Sequence, residues 1–293
     1  MTNVTLLDGG MGQELVHRAG DAPTPLWSTQ VMRSHPNLVA DVHRDFTKAG
    51  ATVATTNTYA IHRDRLIHAG IEEQFEVLLR MAINEVRDCG AARIAGAIGP
   101  LGASYRPDLH PDSDTAQALF GEVANLLAPA CDLLIFETVA SVAHARDALS
   151  AGMATGKPVW LAMTVQDYDG KHLRSGEPLA DVLPIVAQGA AAVLINCSSP
   201  EAITPGLEIL ASSGLPFGGY ANGFEQISEG FLEANPTVDA LRARQDLTPE
   251  VYADHALKWV AAGATIVGGC CEVGPAHIVE IARRLKAAGH TII

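Results

Sequence analysis

Short apolar runs rich in β-branched residues alternate along the chain with segments whose apolar positions recur at helical spacing, and the alternation persists from one terminus to the other. The runs predict strands near residues 3–8, 51–57, 93–99, 132–137, 158–165, 190–196, 215–221 and 264–269. The amphipathic segments predict helices near 36–49, 71–89, 114–130, 139–154, 178–188, 201–213, 248–262 and 275–288. Both sets number eight.

Several helix ends are marked. Thr248 suits a cap with Pro249 at the first helical position, and Pro36 and Pro275 suit similar places. Gly50, Gly90, Gly156, Gly189, Gly214, Gly263 and Gly289 each follow a helical pattern, where a left-handed turn needs a residue without Cβ. The recurrent junction is Ala-Gly-Ala before a β-branched run, as in Ala49 to Val53 and Ala262 to Val267. Strands such as Ala191–Ile195 are apolar without alternation, as in a parallel sheet covered on both faces. Eight such units predict an α/β fold, a closed (β/α)8 TIM barrel occupying residues 1–293 as one domain. An open doubly wound sheet is the alternative, but Asp8-Gly9-Gly10-Met11-Gly12 lacks the glycine spacing of a dinucleotide fingerprint.

Composition narrows the partners. A chain of 293 residues with 48% apolar and 18% charged side chains is expected to fold, and 20 basic against 33 acidic residues give a net charge of −13. With no Lys/Arg run, nucleic acid and anionic membranes are excluded as expected partners. The start carries no basic targeting segment, and no stretch approaches the ~20 apolar residues of a membrane span. A cytoplasmic protein acting on small molecules is expected, and assembly as a homo-oligomer is compatible with the sequence.

In a barrel the residues that end the strands share one rim, where the chemistry is expected. Here they are Asp8-Gly9-Gly10, Thr56-Asn57-Thr58-Tyr59, Gly99-Pro100, Glu137-Thr138, Thr164, Asn196-Cys197-Ser198, Tyr220-Ala221-Asn222 and Gly268-Gly269-Cys270-Cys271. Three of the five cysteines thus reach the rim, and strands six and eight are next-but-one neighbours. Three thiolates suit a soft ion such as zinc and leave a fourth tetrahedral position for a substrate. Equally, Cys270 and Cys271 suit small core fillers, since adjacent strand residues point to opposite faces; the two preceding glycines favour a turn that aims both thiols one way. Cys89 and Cys131, at helix positions, read as inert.

Asp8 and Glu137 are rim carboxylates, with a helix cap or loop hydrogen bond as their structural alternative. Asn57 and Asn196 suit either substrate contact or loop support. His17, His35, His62 and His68 read as solvated, and His277 as either a support for the Cys270–Cys271 loop or a helix start. A barrel lyase or aldolase with the cysteines as core, and a non-catalytic zinc- or thiol-binding barrel, are the competing functions.

The segments Leu7-Asp8-Gly9-Gly10-Met11-Gly12, Thr56-Asn57-Thr58-Tyr59, Glu137-Thr138, Asn196-Cys197-Ser198-Ser199-Pro200 and Gly268-Gly269-Cys270-Cys271-Glu272-Val273-Gly274-Pro275 together resemble the homocysteine S-methyltransferase family, essentially over the whole chain. The resemblance implies a zinc ion held by Cys197, Cys270 and Cys271, with the homocysteine sulfur as fourth ligand and Asp8 and Glu137 on its amino group. It implies methyl transfer from an onium donor to homocysteine, giving methionine, or to another thiol or selenol. A cationic donor suits aromatic faces, for which Trp27, Tyr59, Tyr105 and Tyr220 are available. Two mouth-facing loops, Gly99–His110 and Tyr220–Phe224, depart from the better-known members, which leaves S-methylmethionine, another sulfonium, S-adenosylmethionine and betaine all open as donors. At single-domain length a built-in cobalamin module is not expected, while delivery by a separate corrinoid protein stays open.

Overall fold

The computed structural model describes residues 2–20, 24, 26–227, 232 and 241–293. Its strands are β1 (Asn3–Leu6), β2 (Val53–Thr55), β3 (Arg93–Ile98), β4 (Leu133–Val139), β5 (Val159–Met163), β6 (Ala192–Asn196), β7 (Phe217–Tyr220), β8 (Ile266–Val267) and β9 (Thr291–Ile292). Every pairing is parallel, in the order β2-β3-β4-β5-β6-β7-β8-β1-β9. The ring closes because Leu7 bridges Val53, with the Thr52 amide donating to Leu6 at 2.8 Å and the Asp8 amide to Val53 at 3.2 Å. The eight expected strands therefore form the barrel. β9 is an addition to the expectation: two residues that pair with Asn3 and Val4.

The helices are α1 (Met11–Ala19), α2 (Trp27–Ser34), α3 (Leu38–Ala49), α4 (Arg63–His68), α5 (Phe75–Val86), α6 (Ser113–Leu127), α7 (Val142–Met153), α8 (Leu183–Val186), α9 (Pro200–Leu210), α10 (Pro249–Ala261) and α11 (Pro275–Ala287). All eight expected segments are present, although the one at 178–188 is a 3-10 turn followed by a single α turn. α1, α2 and α4 were not foreseen, because α1 follows a glycine-rich turn and α4 is too short for a helical period to show. Thr248 caps α10 by accepting the Val251 amide at 3.4 Å, and Pro249 and Pro275 open their helices. Pro36 does not; α3 begins at Leu38 after Asn37. Gly50 and Gly263, in the two Ala-Gly-Ala junctions, stand at φ 115° and 103°, and the other five expected glycines also have positive φ.

Two apolar layers follow from strand period. Outward residues such as Leu134, Phe136, Leu161, Met163, Val193 and Ile195 pack beneath the helices, in a core that also holds Phe46, Phe75, Phe120 and Trp259. Inward residues, among them Leu7, Val53, Ala95, Ala97, Leu133, Ile135, Trp160, Ala162, Leu194 and Tyr220, fill the barrel itself. No helix among the described residues is long and apolar enough to cross a membrane.

Candidate active site and metal centre

The inward period carries polar residues to the mouth. On β4 the sequence Leu133, Ile135, Glu137 continues one face, and on β6 Ala192, Leu194, Asn196 does the same. Thr55 extends the face of Val53, and Tyr220 is itself an interior residue at the end of β7. These ends surround a cavity of about 550 Å³ lined by Asp8, Asn57, Glu137, Asn196, Cys197, Tyr220, Cys270 and Cys271. All eight site residues foreseen from sequence thus face one space.

The three rim cysteines converge: ligand sulfurs of Cys197, Cys270 and Cys271 all lie within 4.8 Å of one another. Cys197 and Cys270 are joined through their sulfurs, with Cα atoms 5.8 Å apart, and Cys271 is free. Sulfurs bonded to each other do not serve as two thiolate ligands, so metal binding calls for the reduced pair. β8 ends at Val267, so both Cys270 and Cys271 stand in turn geometry rather than on opposite faces of a strand. Backbone proximity fixes that turn. The Cys270 amide donates to Ala221 at 2.9 Å, the Gly223 amide to Cys271 at 2.8 Å and the Gly10 amide to Val273 at 2.9 Å. A Cβ on Gly10 would stand 2.5 Å from the Cys270 carbonyl oxygen, which is why this approach needs glycine. Burial, with Glu272 and Glu137 nearby, pushes the Cys271 thiol up to about 12, so a thiol placed here needs a cation to become a ligand. Cys197 stands at φ 46°, and its carbonyl accepts from Thr164 Oγ1 at 3.2 Å and Arg174 Nη2 at 3.4 Å.

Asp8 is 2% exposed and does not cap α1, whose first residue follows Gly10 with no side-chain cap. Its Oδ2 accepts the Thr55 amide at 2.7 Å, and Thr55 Oγ1 donates to Oδ1 at 3.0 Å. Burial pushes its carboxyl up to about 8 despite those bonds, with the Glu137 charge adding to the rise. Glu137 Oε1 accepts the Tyr220 hydroxyl at 2.8 Å from across the mouth, and burial pushes this carboxyl up to about 7. Two carboxylates, one buried and one half-buried, whose charge costs free energy here form a receptor for a cation.

Asn196 is turned to support. Its Oδ1 accepts the Thr138 amide at 2.9 Å and its Nδ2 donates to Thr138 Oγ1 at 3.3 Å. Asn57 is 5% exposed, with Nδ2 donating to the Ser28 carbonyl at 3.4 Å. Trp27, Tyr59, Tyr105 and Tyr220 all line the cavity, and the Trp27 and Tyr59 rings meet edge to face at 6.2 Å. Sequence reasoning missed Thr55, the partner that orients Asp8, and a relay in which Trp27 Nε1 donates to Gln13 Oε1 at 2.9 Å and Gln13 Nε2 to Glu272 at 2.5 Å. Only the parity of β2 signalled Thr55; nothing local signalled the relay, which spans 259 positions from Gln13 to Glu272.

The histidine expectations need one correction. His62 is not solvated: it is 1% exposed and packs edge-on against Phe120, and burial lowers its pKa to about 4. His17 and His68 are exposed and His35 half-buried. His277 takes the helix-start reading, with Nδ1 accepting the Gly274 amide at 3.2 Å at the start of α11 and Nε2 facing the Leu247 carbonyl at 3.2 Å. Cys89 and Cys131 are buried and lie outside the cavity lining.

The chain is similar to known proteins over almost its whole length. A homocysteine S-methyltransferase of Escherichia coli is 30% identical over 310 residues, covering 96% of this chain and 95% of that one. A selenocysteine methyltransferase of Astragalus bisulcatus is 27% identical, with 96% and 92% covered. The metallated form of the E. coli homocysteine methyltransferase MmuM superposes with a TM-score of 0.79 at 29% identity, covering 97% of this chain and 96% of that one. The homocysteine S-methyltransferase family model matches residues 5–285, and the chain belongs to that family.

Proposed function

We propose that this protein moves a methyl group from an onium donor to the thiol of homocysteine, giving methionine, with zinc held by Cys197, Cys270 and Cys271. The observation that carries this reading is the convergence of three cysteine sulfurs, within 4.8 Å of one another, in the same cavity as the buried Asp8 and the half-buried Glu137. The donor set suits the ion by its chemistry, because three cysteine sulfurs gathered at one point of the cavity are soft ligands once the Cys197–Cys270 pair is reduced. Bound there, zinc supplies a soft Lewis acid that favours the ionised form of an added thiol near neutral pH.

The chain's own residues do the rest. Asp8 and Glu137 receive the ammonium of the acceptor, whose charge offsets the cost of burying theirs. Thr55 and Tyr220 hold the two carboxylates in place by direct hydrogen bonds, and Asn196 holds the Glu137 turn. Asn57 lines the same wall as a substrate contact. The aromatic faces of Trp27, Tyr59, Tyr105 and Tyr220 suit the cationic donor, whether S-methylmethionine, another sulfonium, S-adenosylmethionine or a betaine. Transfer is an in-line displacement: the acceptor sulfur, having lost its proton, forms the new S–CH3 bond as the donor's onium–CH3 bond breaks, and the donor leaves neutral. Holding both partners in one cavity removes much of the entropic cost of their meeting.

The reading takes residues 1–293 as one barrel domain of a cytoplasmic enzyme and is compatible with a homo-oligomer. A second reading, methylation of a selenol, is favoured by the similarity to a selenocysteine methyltransferase. The test is a panel of onium donors assayed with homocysteine and with selenocysteine on reduced, zinc-loaded protein, reading products by mass spectrometry. Methionine from homocysteine supports the proposal. Absence of product with every donor overturns it, and exclusive use of selenocysteine selects the second reading.

A further inference from the structure

The cavity wall opposite the strand ends carries a cation with no carboxylate to meet. Arg65, on α4, is the one arginine or lysine among the described lining residues. No Asp or Glu among the described residues lies within 4.0 Å of its guanidinium, since it takes part in none of the ion pairs. Its neighbour Asp64 is engaged elsewhere, accepting the Gly102 amide at 2.5 Å and the Arg65 backbone amide at 2.9 Å. The guanidinium is nevertheless fixed. Arg65 Nη2 donates to the Pro100 carbonyl at 2.8 Å, and the Tyr59 ring faces it at 5.7 Å. Its Nε is fully buried and has no hydrogen-bond partner. By contrast Arg174, which packs over Tyr105, is neutralised by a two-point pair with Asp167 at 2.9 and 3.0 Å.

A half-buried guanidinium on the cavity wall that lacks a counter-charge is a receptor for a planar anion, and a carboxylate matches its fork. The cysteines, Asp8 and Glu137 belong to the strand ends at the barrel rim, which form the floor of the cavity, whereas Arg65 stands on a helix beyond β2, beside the Gly102–Tyr105 loop that also lines the cavity. Resting on the function proposed above, the acceptor's thiol and ammonium occupy the floor, and the wall at Arg65 faces the second substrate. We propose that Arg65 binds the carboxylate of the methyl donor and thereby sets the affinity for the donor rather than for the acceptor.

The test compares S-methylmethionine with its methyl ester, which keeps the sulfonium and removes the carboxylate charge, in wild type, Arg65→Met and Arg65→Lys. In Arg65→Met the KM for S-methylmethionine rises about tenfold or more, the scale of one lost charge-assisted pair. The KM for homocysteine and the kcat/KM for the ester stay within about twofold. Arg65→Lys, which keeps the charge and loses the fork, lies between, and carries the test if the methionine variant is poorly folded by circular dichroism. Equal losses on acid and ester overturn the proposal in favour of a role confined to holding Pro100. A loss confined to the homocysteine KM overturns it by assigning Arg65 to the acceptor. A wild-type enzyme that methylates homocysteine with neither donor nor any other onium counts against the proposed function instead.

Discussion

Asn196 on β6 and Thr138 on β4, next-but-one strands of the sheet and 58 positions apart in sequence, exchange two hydrogen bonds while Thr138 stands at φ 58°. A β-branched residue in the left-handed region is strained by roughly 1–3 kcal/mol, and such strain persists only where surroundings impose it. Pairing between β4 and β5 shifts register between Phe136 and Val139, so Glu137 sits on an irregular turn of strand whose conformation Asn196 secures.

Asn196→Ala removes both bonds and leaves the buried Thr138 amide without its acceptor, at a cost of about 1–3 kcal/mol. The expected outcome is a homocysteine KM raised about tenfold, with zinc content and donor KM nearly unchanged, because Glu137 is misaimed while the cysteines are untouched. Steady-state kinetics with metal analysis checks this. An unchanged homocysteine KM in a folded variant assigns Asn196 no part in aiming Glu137.

Gly10→Ala tests the backbone contact that shapes the cysteine turn. The added Cβ would lie 2.5 Å from the Cys270 carbonyl oxygen and 3.0 Å from the Cys271 Cα, both backbone atoms with no side-chain freedom to yield. A destabilisation of about 1–3 kcal/mol is expected, together with weakened zinc retention, measured by denaturant unfolding and chelator competition. Gly20→Ala, at a site open to solvent within 4 Å, is the control for zinc, since it strains only its own backbone. Equal zinc retention in both variants argues against a role for Gly10 in shaping the site.

The barrel and the thiol cluster were legible because each depends on local signals. Buried parallel strands are continuous apolar runs, and the rim follows once their ends are aligned. Two-residue period along Leu133-Leu134-Ile135-Phe136-Glu137 even tells which side chain enters the barrel. The pairings that set the chemistry were hidden by distance: Tyr220 reaches Glu137 over 83 positions, and Thr55 reaches Asp8 over 47. His62 looked solvated beside Arg63 and Asp64, yet its ring is buried edge-on against Phe120 of α6, a contact between residues 58 positions apart. β9 is too short, at two residues, to show a period at all.

Loss of the ligand sulfurs separates rim thiols from core thiols. Cys271→Ala is expected to lower zinc content well below one equivalent and kcat/KM by more than about 100-fold, with the circular dichroism spectrum preserved. Cys131→Ala, buried beside Gly96 and away from the cavity, keeps zinc and activity while losing stability by about 1 kcal/mol. Elemental analysis alongside turnover distinguishes the two. Full activity in zinc-free Cys271→Ala protein would sink the zinc mechanism.

Asp8 makes the site's cost measurable through pH. Burial raises its carboxyl from 3.8 to about 8, so the folded protein holds this proton more tightly than the unfolded chain does. Stability from the group is therefore full below the unfolded value of 3.8 and is lost as pH rises toward 8, the reverse of a salt-bridged aspartate. Asp8→Asn removes the charge while its amide oxygen still accepts the Thr55 amide, so it escapes the loss. In the ligand-free protein its melting temperature should exceed that of wild type by an amount that widens from pH 5 to pH 8.5, reaching a few degrees, roughly the effect of 1 kcal/mol in a chain of this size. The same variant should lose about ten- to a hundredfold in kcat/KM for homocysteine, through the missing ammonium contact. Calorimetric scans at the two pH values decide the matter: a melting-temperature gap independent of pH means that Asp8 is not the protonated, destabilising group described, whatever happens to activity.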